Sequence, residues 1–152
     1  MQKRPWLLRF LVFLSILAIF SGAAIGCSGG GGREPAHTMK MAPLSDMPAE
    51  VQAAPVTVQQ AYQFAVANPD VLAQLPCYCG CGQMGHTSNY ACYVSGEDAA
   101  GKPAYDSHAL GCSICVDITL DAMRLLKQDK ALPEIRSYVD STYAQYGPSN
   151  IP

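Results

Sequence analysis

The chain is 152 residues long, with ten Lys and Arg against twelve Asp and Glu, a formal net charge of −2, and seven cysteines. That length suits one domain. A balance this short of basic charge, with no basic cluster, excludes a protein that grips nucleic acid through its phosphates.

The chain opens with "MQKRPWLLRFLVFLSILAIFSGAAIGC". A basic start (Lys3, Arg4, Arg9), an apolar run and a stretch of small residues predict a secretory signal peptide over 1–26. The uninterrupted apolar run from Phe10 is short of the ~20 residues a membrane span needs. The segment "AAIGC" resembles the bacterial lipobox, although Ala24 stands where Leu is usual, so Cys27 is expected to be lipidated and to become the first residue. A diacylglyceryl group with an N-terminal acyl chain gives the two lipid chains that stable anchoring takes. The expected location is therefore the cell envelope, outside the cytoplasm and lipid-anchored to a membrane. Without residues 1–26, seven basic residues face twelve acidic ones, a net charge of −5.

Residues 27–55 are rich in Gly, Pro, Ala and Ser and read as a flexible tether. His37, Met39, Met41 and Met47 fall within it, and thioethers are soft ligands that suit Cu(I). The domain expected over 56–152 is mainly α: three to four helices around an irregular loop region rich in Cys and Gly. In "TVQQAYQFAVANP", Val58, Ala61, Tyr62, Ala65 and Val66 share one helical face, with Thr57 as N-cap and Pro69 as terminator. A short turn, "PDVLAQLP", leads to the thiols. "NYACYV" reads as a short strand and "SGEDAAGKP" as a turn. "SHALGCSICVDITLDAMRLLKQDK" reads as a long helix that Gly111 is placed to interrupt. "LPEIRSYVDSTYAQYG" reads as the last helix, with Pro133 in its first turn and Gly147 as its cap.

Two patterns carry chemistry. His108, Cys112, Cys115, Thr119, Ala122 and Leu126 follow at steps of four and three, so an apolar helix stripe continues upward into an imidazole and two thiols. This HxxxCxxC offers half of a metal site. The second pattern is "CYCGC", with Cys77, Cys79 and Cys81 at alternate positions. In a strand such residues lie about 6.6 Å apart at a rise of ~3.3 Å each, whereas two thiolates on one tetrahedral metal lie about 3.8 Å apart for bonds of ~2.3 Å. A folded loop brings them together, and Gly80 and Gly82 supply the backbone freedom.

Three readings compete. Six cysteines beyond Cys27, an even number in an oxidising compartment, suit three disulfides, but CxC bridges are awkward and bridges have no use for His86 or His108. Cys112 at a helix N-terminus with Cys115 as resolving thiol suits a thiol–disulfide oxidoreductase, but no thioredoxin-like strand and loop precede it. Metal binding uses every thiol. Covalent haem is excluded by the lack of CxxCH, and an exported iron–sulfur protein would carry a twin arginine where this chain has "KR". Hydrolysis has no GxSxG or HExxH to rest on, and Asp117 and Asp121 read as a solvated helix face.

Thiols beyond the four that one zinc takes favour two metals or a Cu(I) cluster with bridging thiolates. The expected site is Cys77, Cys79 and Cys81 from the loop, closed by His108, Cys112 and Cys115, with Met84, His86 and Cys92 as accessory candidates. The expected cofactor is Cu(I), with zinc as the alternative. The expected partners are the metal, the membrane and a metal-handling envelope protein. Sequestration or delivery involves no catalysis. The alternatives are the oxidoreductase and an interaction domain stabilised by disulfides or zinc.

"PCYCGC", "GHTSNYAC", "HALGCSICVDI" and "EIRSYVDSTY" occur in that order, and with them the chain resembles the bacterial lipoprotein family named for its PCYCGC motif. The resemblance runs from about Val58 to Gly147. It implies that Cys77, Cys79, Cys81, His86, Cys92, His108, Cys112 and Cys115 form one unit, and assigns that unit no chemistry.

Overall fold

The computed structural model describes residues 39–151. Cys27, His37 and the segment read as a signal peptide lie outside them. Among the described residues three helices exceed one turn: α2 (Val56–Ala67), α5 (Ser113–Leu126) and α6 (Leu132–Tyr143). Three more are single turns: α1 (Ala49–Gln52), α3 (Pro69–Leu72) and α4 (His108–Gly111). A two-stranded antiparallel hairpin, β1 (Val94–Glu97) and β2 (Pro103–Tyr105), completes a mainly α architecture. No helix among the described residues is long and apolar enough to cross a membrane.

Helix α5 is the centre. Its stripe of Cys115, Ile118, Thr119, Ala122 and Leu126 is buried between α2 and α6. Helix α2 contributes Ala61, Tyr62, Phe64 and Ala65 to that core, and α6 contributes Ile135, Val139 and Tyr143. Each large apolar side chain buried here is worth about 1.5–3 kcal/mol over leaving it in water. Tyr146, inside the segment read as the last helix, is exposed. It falls in the 3-10 turn Ala144–Tyr146, where the helical period no longer applies.

Several boundaries differ from the pattern. The N-cap of α2 is Pro55, one residue before the helix; Thr57 lies inside. Pro69 opens α3 as well as closing α2, because a proline fits the first turn, where its missing N–H has no bond to make. The strand begins at Val94, after a 3-10 turn over Tyr90–Cys92, so "YAC" is helical rather than extended. The supposed tether also takes part in the fold: Met47 and Val51 sit in the core and Met39 packs against it, so their thioethers and methyls serve packing. The long helix does break, but at Cys112, which is extended (φ −122°, ψ 102°) between α4 and α5.

Candidate metal centre

The loop between α3 and the hairpin forms one wall of a thiol pocket. Residues Leu75–Tyr78 are buried and lead into Gly80, whose φ of 85° is in the left-handed region that glycine tolerates. That reversal starts the 3-10 turn Cys81–Met84, which Gly85 ends at φ 89°. Gly85, rather than Gly82, is therefore the second conformationally required glycine. Gly82 has another role: a Cβ there would stand 3.3 Å from the Cβ of Asn150.

Asn150 straps the loop from across the chain. The Cys77 N–H donates to Asn150 Oδ1 at 2.6 Å, and the Asn150 N–H returns a bond to the Cys77 carbonyl at 3.2 Å. Its Nδ2 donates to the His86 carbonyl at 3.1 Å and lies 3.6 Å from Cys81 Sγ. On the opposite side of the strand-like stretch, the Tyr78 hydroxyl donates to Asp140 of α6 at 2.7 Å. The loop is thus fixed to two distant parts of the sequence.

The other wall is the start of α5. Cys112 is its N-cap residue and Cys115 lies in its first turn, next to unpaired backbone N–H groups that favour thiolates. His108 opens α4, its N–H donating to Asp106 Oδ1 at 2.8 Å. The break at Cys112 does not scatter the ligands: the donor atoms of Cys79, His108, Cys112 and Cys115 all lie within 4.8 Å of one another. A second group with the same property is Cys81, His86, Cys92 and His108; two more are Cys77, Cys79 and Cys81, and Cys77, Cys92 and Cys115.

Distances decide the kind of contact. Cys77 Sγ is 3.4 Å from both Cys79 Sγ and Cys115 Sγ, Cys79 is 3.6 Å from Cys115, and Cys81 is 3.6 Å from Cys92. A disulfide brings two sulfurs to about 2.05 Å, and all six thiols are free. Separations of this size match the edge of a metal–thiolate polyhedron, about 3.8 Å. Cys77 also has two equally close neighbours, which a single bridge would not use.

A family model described as "Protein of unknown function with PCYCGC motif" matches residues 24–152. The chain belongs to the PCYCGC family. No curated protein and no solved structure matches it. In this PCYCGC protein the motif's three cysteines and its proline and tyrosine all have structural work: Pro76 and Tyr78 are buried, and the thiols turn inward.

Cys77 is held well below the ordinary thiol value, foremost by its hydrogen bond with Cys115 and next by that with Cys92. Cys115 is pushed up, foremost by its hydrogen bonds with Cys77 and Cys92 and then by burial. Burial pushes the Cys79 and Cys81 thiols up, and the charge on Cys77 adds to it. A soft cation entering the pocket would displace those protons and meet a thiolate already formed at the centre.

The expected site residues fare unequally. Cys77, Cys79, Cys81, His108, Cys112 and Cys115 converge as described. Cys92 and His86, expected as accessories, lie in one close group with Cys81 and His108. Met84 shares the 3-10 turn with Cys81 but is 58 % exposed. Sequence reasoning missed the residues that hold the donors. Asn89 is buried, its N–H donating to the Leu75 carbonyl at 2.8 Å and its Nδ2 to the Cys115 carbonyl at 3.2 Å. The Tyr93 hydroxyl donates to the same Cys115 carbonyl at 2.8 Å. Asp106 holds two histidines, facing His86 Nε2 at 3.5 Å besides capping the His108 N–H. Its position two residues before His108 was the available signal. Asn150, 73 residues from Cys77, left none.

Proposed function

We propose that this protein is a membrane-tethered, extracytoplasmic carrier of a soft metal ion, Cu(I) above all, which it sequesters or hands on without catalysis. The observation that carries the reading is the position of Cys77 Sγ, 3.4 Å from two other thiols in a pocket of six. Soft thiolates in that number select Cu(I) over harder ions. The pocket is also built to hold its sulfurs apart at metal-bridging rather than covalent distance. The anchor rests on the sequence: a basic start, an apolar run and small residues ending at Cys27.

Zinc is the second reading, favoured by one observation. Cys79, His108, Cys112 and Cys115 make a Cys₃His set, of the kind that zinc occupies structurally. A thiol oxidoreductase working through Cys112 and Cys115 gains support from their place at the start of α5.

Native mass spectrometry of the protein extracted from membranes, without reductant or chelator, tests all three. Copper on the chain, with six thiols free after unfolding, supports the proposal. Zinc would move the assignment to the second reading. A metal-free chain six protons lighter than the reduced form would mean three disulfides and end the carrier reading. Mixed disulfides trapped with other envelope proteins by Cys115→Ser, which removes the resolving thiol, would favour the enzyme. The Cys27→Ser variant is expected to leave the membrane fraction; its retention there would refute the anchor.

A further inference from the structure

We propose that the pocket holds two soft metal ions, bridged by the Cys77 thiolate, and that Cys81, Cys92 and His86 are the other ligands of the second ion. This rests on the metal-carrier reading and adds a count and an assignment to it.

Eight donors converge, six sulfurs and two imidazoles, twice the four that one tetrahedral ion takes. They fall into two groups: Cys79, Cys112 and Cys115 on one side, Cys81, Cys92 and His86 on the other, with His108 within reach of both. A neutral imidazole nitrogen has a single lone pair and serves one ion. His108 Nε2 lies 3.4 Å from Cys79 Sγ, at hydrogen-bond distance, and Cys79, Cys112, Cys115 and a shared Cys77 already make four ligands on the first side. The second group has three donors of its own, and Cys77, within 4.8 Å of Cys81 and of Cys92, is placed to be the fourth.

Cys77 stands on the seam. It forms one close group with Cys79 and Cys81 and another with Cys92 and Cys115, and each of these joins a thiol of the first side to a thiol of the second. A thiolate keeps three lone pairs and can bind two ions at once. A sulfur set 3.4 Å from both Cys79 and Cys115, while within 4.8 Å of Cys81 and Cys92, is in a bridging position.

His86 supplies an independent observation. Its Nε2 faces the Asp106 carboxylate at 3.5 Å, the arrangement by which a second-sphere carboxylate orients a ligating imidazole. Its Nδ1 is buried and has no hydrogen-bond partner. An unsatisfied buried polar atom is costly, and an ion on the Cys81–Cys92 side gives this nitrogen its partner. His86 and His108 also meet edge to face at 5.1 Å between ring centres, so the two rings flank the seam together.

The test is anaerobic titration of the full chain, in detergent with thiols reduced, using Cu(I) alone, followed by native mass spectrometry and X-ray absorption. Two copper ions per chain and a copper–copper scattering vector are expected. His86→Ala and Cys92→Ser should each lower the count to one and abolish the vector. Cys112→Ser should also lower it to one, by emptying the first side. Cys92 is fully buried, so circular dichroism must confirm its fold; His86→Ala, at a partly exposed position, decides the matter if Cys92→Ser does not fold. One copper in the unmodified protein, or two retained in His86→Ala, would overturn the second centre and leave the carrier reading standing. No copper in the unmodified protein would overturn the carrier reading itself.

Discussion

The two walls of the thiol pocket are built by different means. The helix wall, Cys112 and Cys115, is set by the geometry of α5: once the helix forms, one thiol is its N-cap, the other lies in its first turn, and their spacing follows. The loop wall, Cys77, Cys79 and Cys81, has no regular structure to set it, and is fixed by bonds to residues far along the chain, Asn150 and Asn89 among them. A donor on a helix is preorganised at the cost of forming the helix. A donor on a strapped loop is only as fixed as its straps, so a bound ion would order the loop wall more than the helix wall.

Removing the loop donor that touches the helix wall should have the largest effect. Cys77→Ser takes away the central thiolate, and with roughly 10–16 kcal/mol shared among four ligands of a structural metal, one ligand is worth about 3 kcal/mol. Affinity is expected to fall by about a hundredfold or more, measured by competition with a chromophoric Cu(I) chelator; a change under tenfold would show that Cys77 is not a ligand.

Acidification should come next. The Cys79, Cys81 and Cys115 thiols have raised values and hold their protons at neutral pH. Binding therefore releases protons, and each proton released weakens binding about tenfold for every unit by which pH falls below those values. Apparent affinity should drop by at least about a hundredfold from pH 8 to pH 6, in the same competition assay. An affinity flat over that range would mean that the metal does not displace thiol protons.

The straps should give intermediate effects that separate the walls. Asn150→Ala removes both side-chain bonds, to the Cys77 N–H and to the His86 carbonyl, and is expected to cost about 2 kcal/mol of stability at about 1 kcal/mol each. In hydrogen exchange, amides over 75–92 should open in this variant while those of α5 stay protected. Equal opening of both would erase the distinction drawn here. Asp106→Asn, which weakens the hold on His86, should reduce affinity by about 10–100-fold, as loss of a carboxylate behind a ligating imidazole does. The smallest effect is expected of Met84→Leu. Its side chain is exposed, and affinity should stay within about twofold, since a rigid-site donor would have to be turned inward.

The helix wall was legible because periodicity is a local property. The steps from Cys112 to Leu126 gave the buried stripe and put Cys115 at its upper end. Only the position of His108 on a separate turn escaped, since the kink at Cys112 leaves the spacing looking helical. The loop wall was legible in kind but not in detail. Three thiols at alternate positions beside glycines had to be a folded loop, yet the choice of Gly85 over Gly82 depends on where Asn150 lies, and that depends on the whole fold. The nearness of Cys92 to Cys81 was hidden for the same reason: the two are eleven residues apart, across a turn that reads as a strand. The methionines of residues 39–47 misled because a thioether suits a core as well as copper, and the sequence does not say that this segment folds back.

The strap by Asn150 has a consequence for timing. A chain that emerges N-terminus first has presented all six thiols by residue 115, but lacks the bond that closes their loop until residue 150 arrives. Between those moments the helix wall can exist without its partner. A metal ion met early would find an unfinished vessel with open sides, whereas one met after the last turn would find a closed one. On the carrier reading, the order of the sequence would act as a latch on loading, delaying capture until the whole domain has folded.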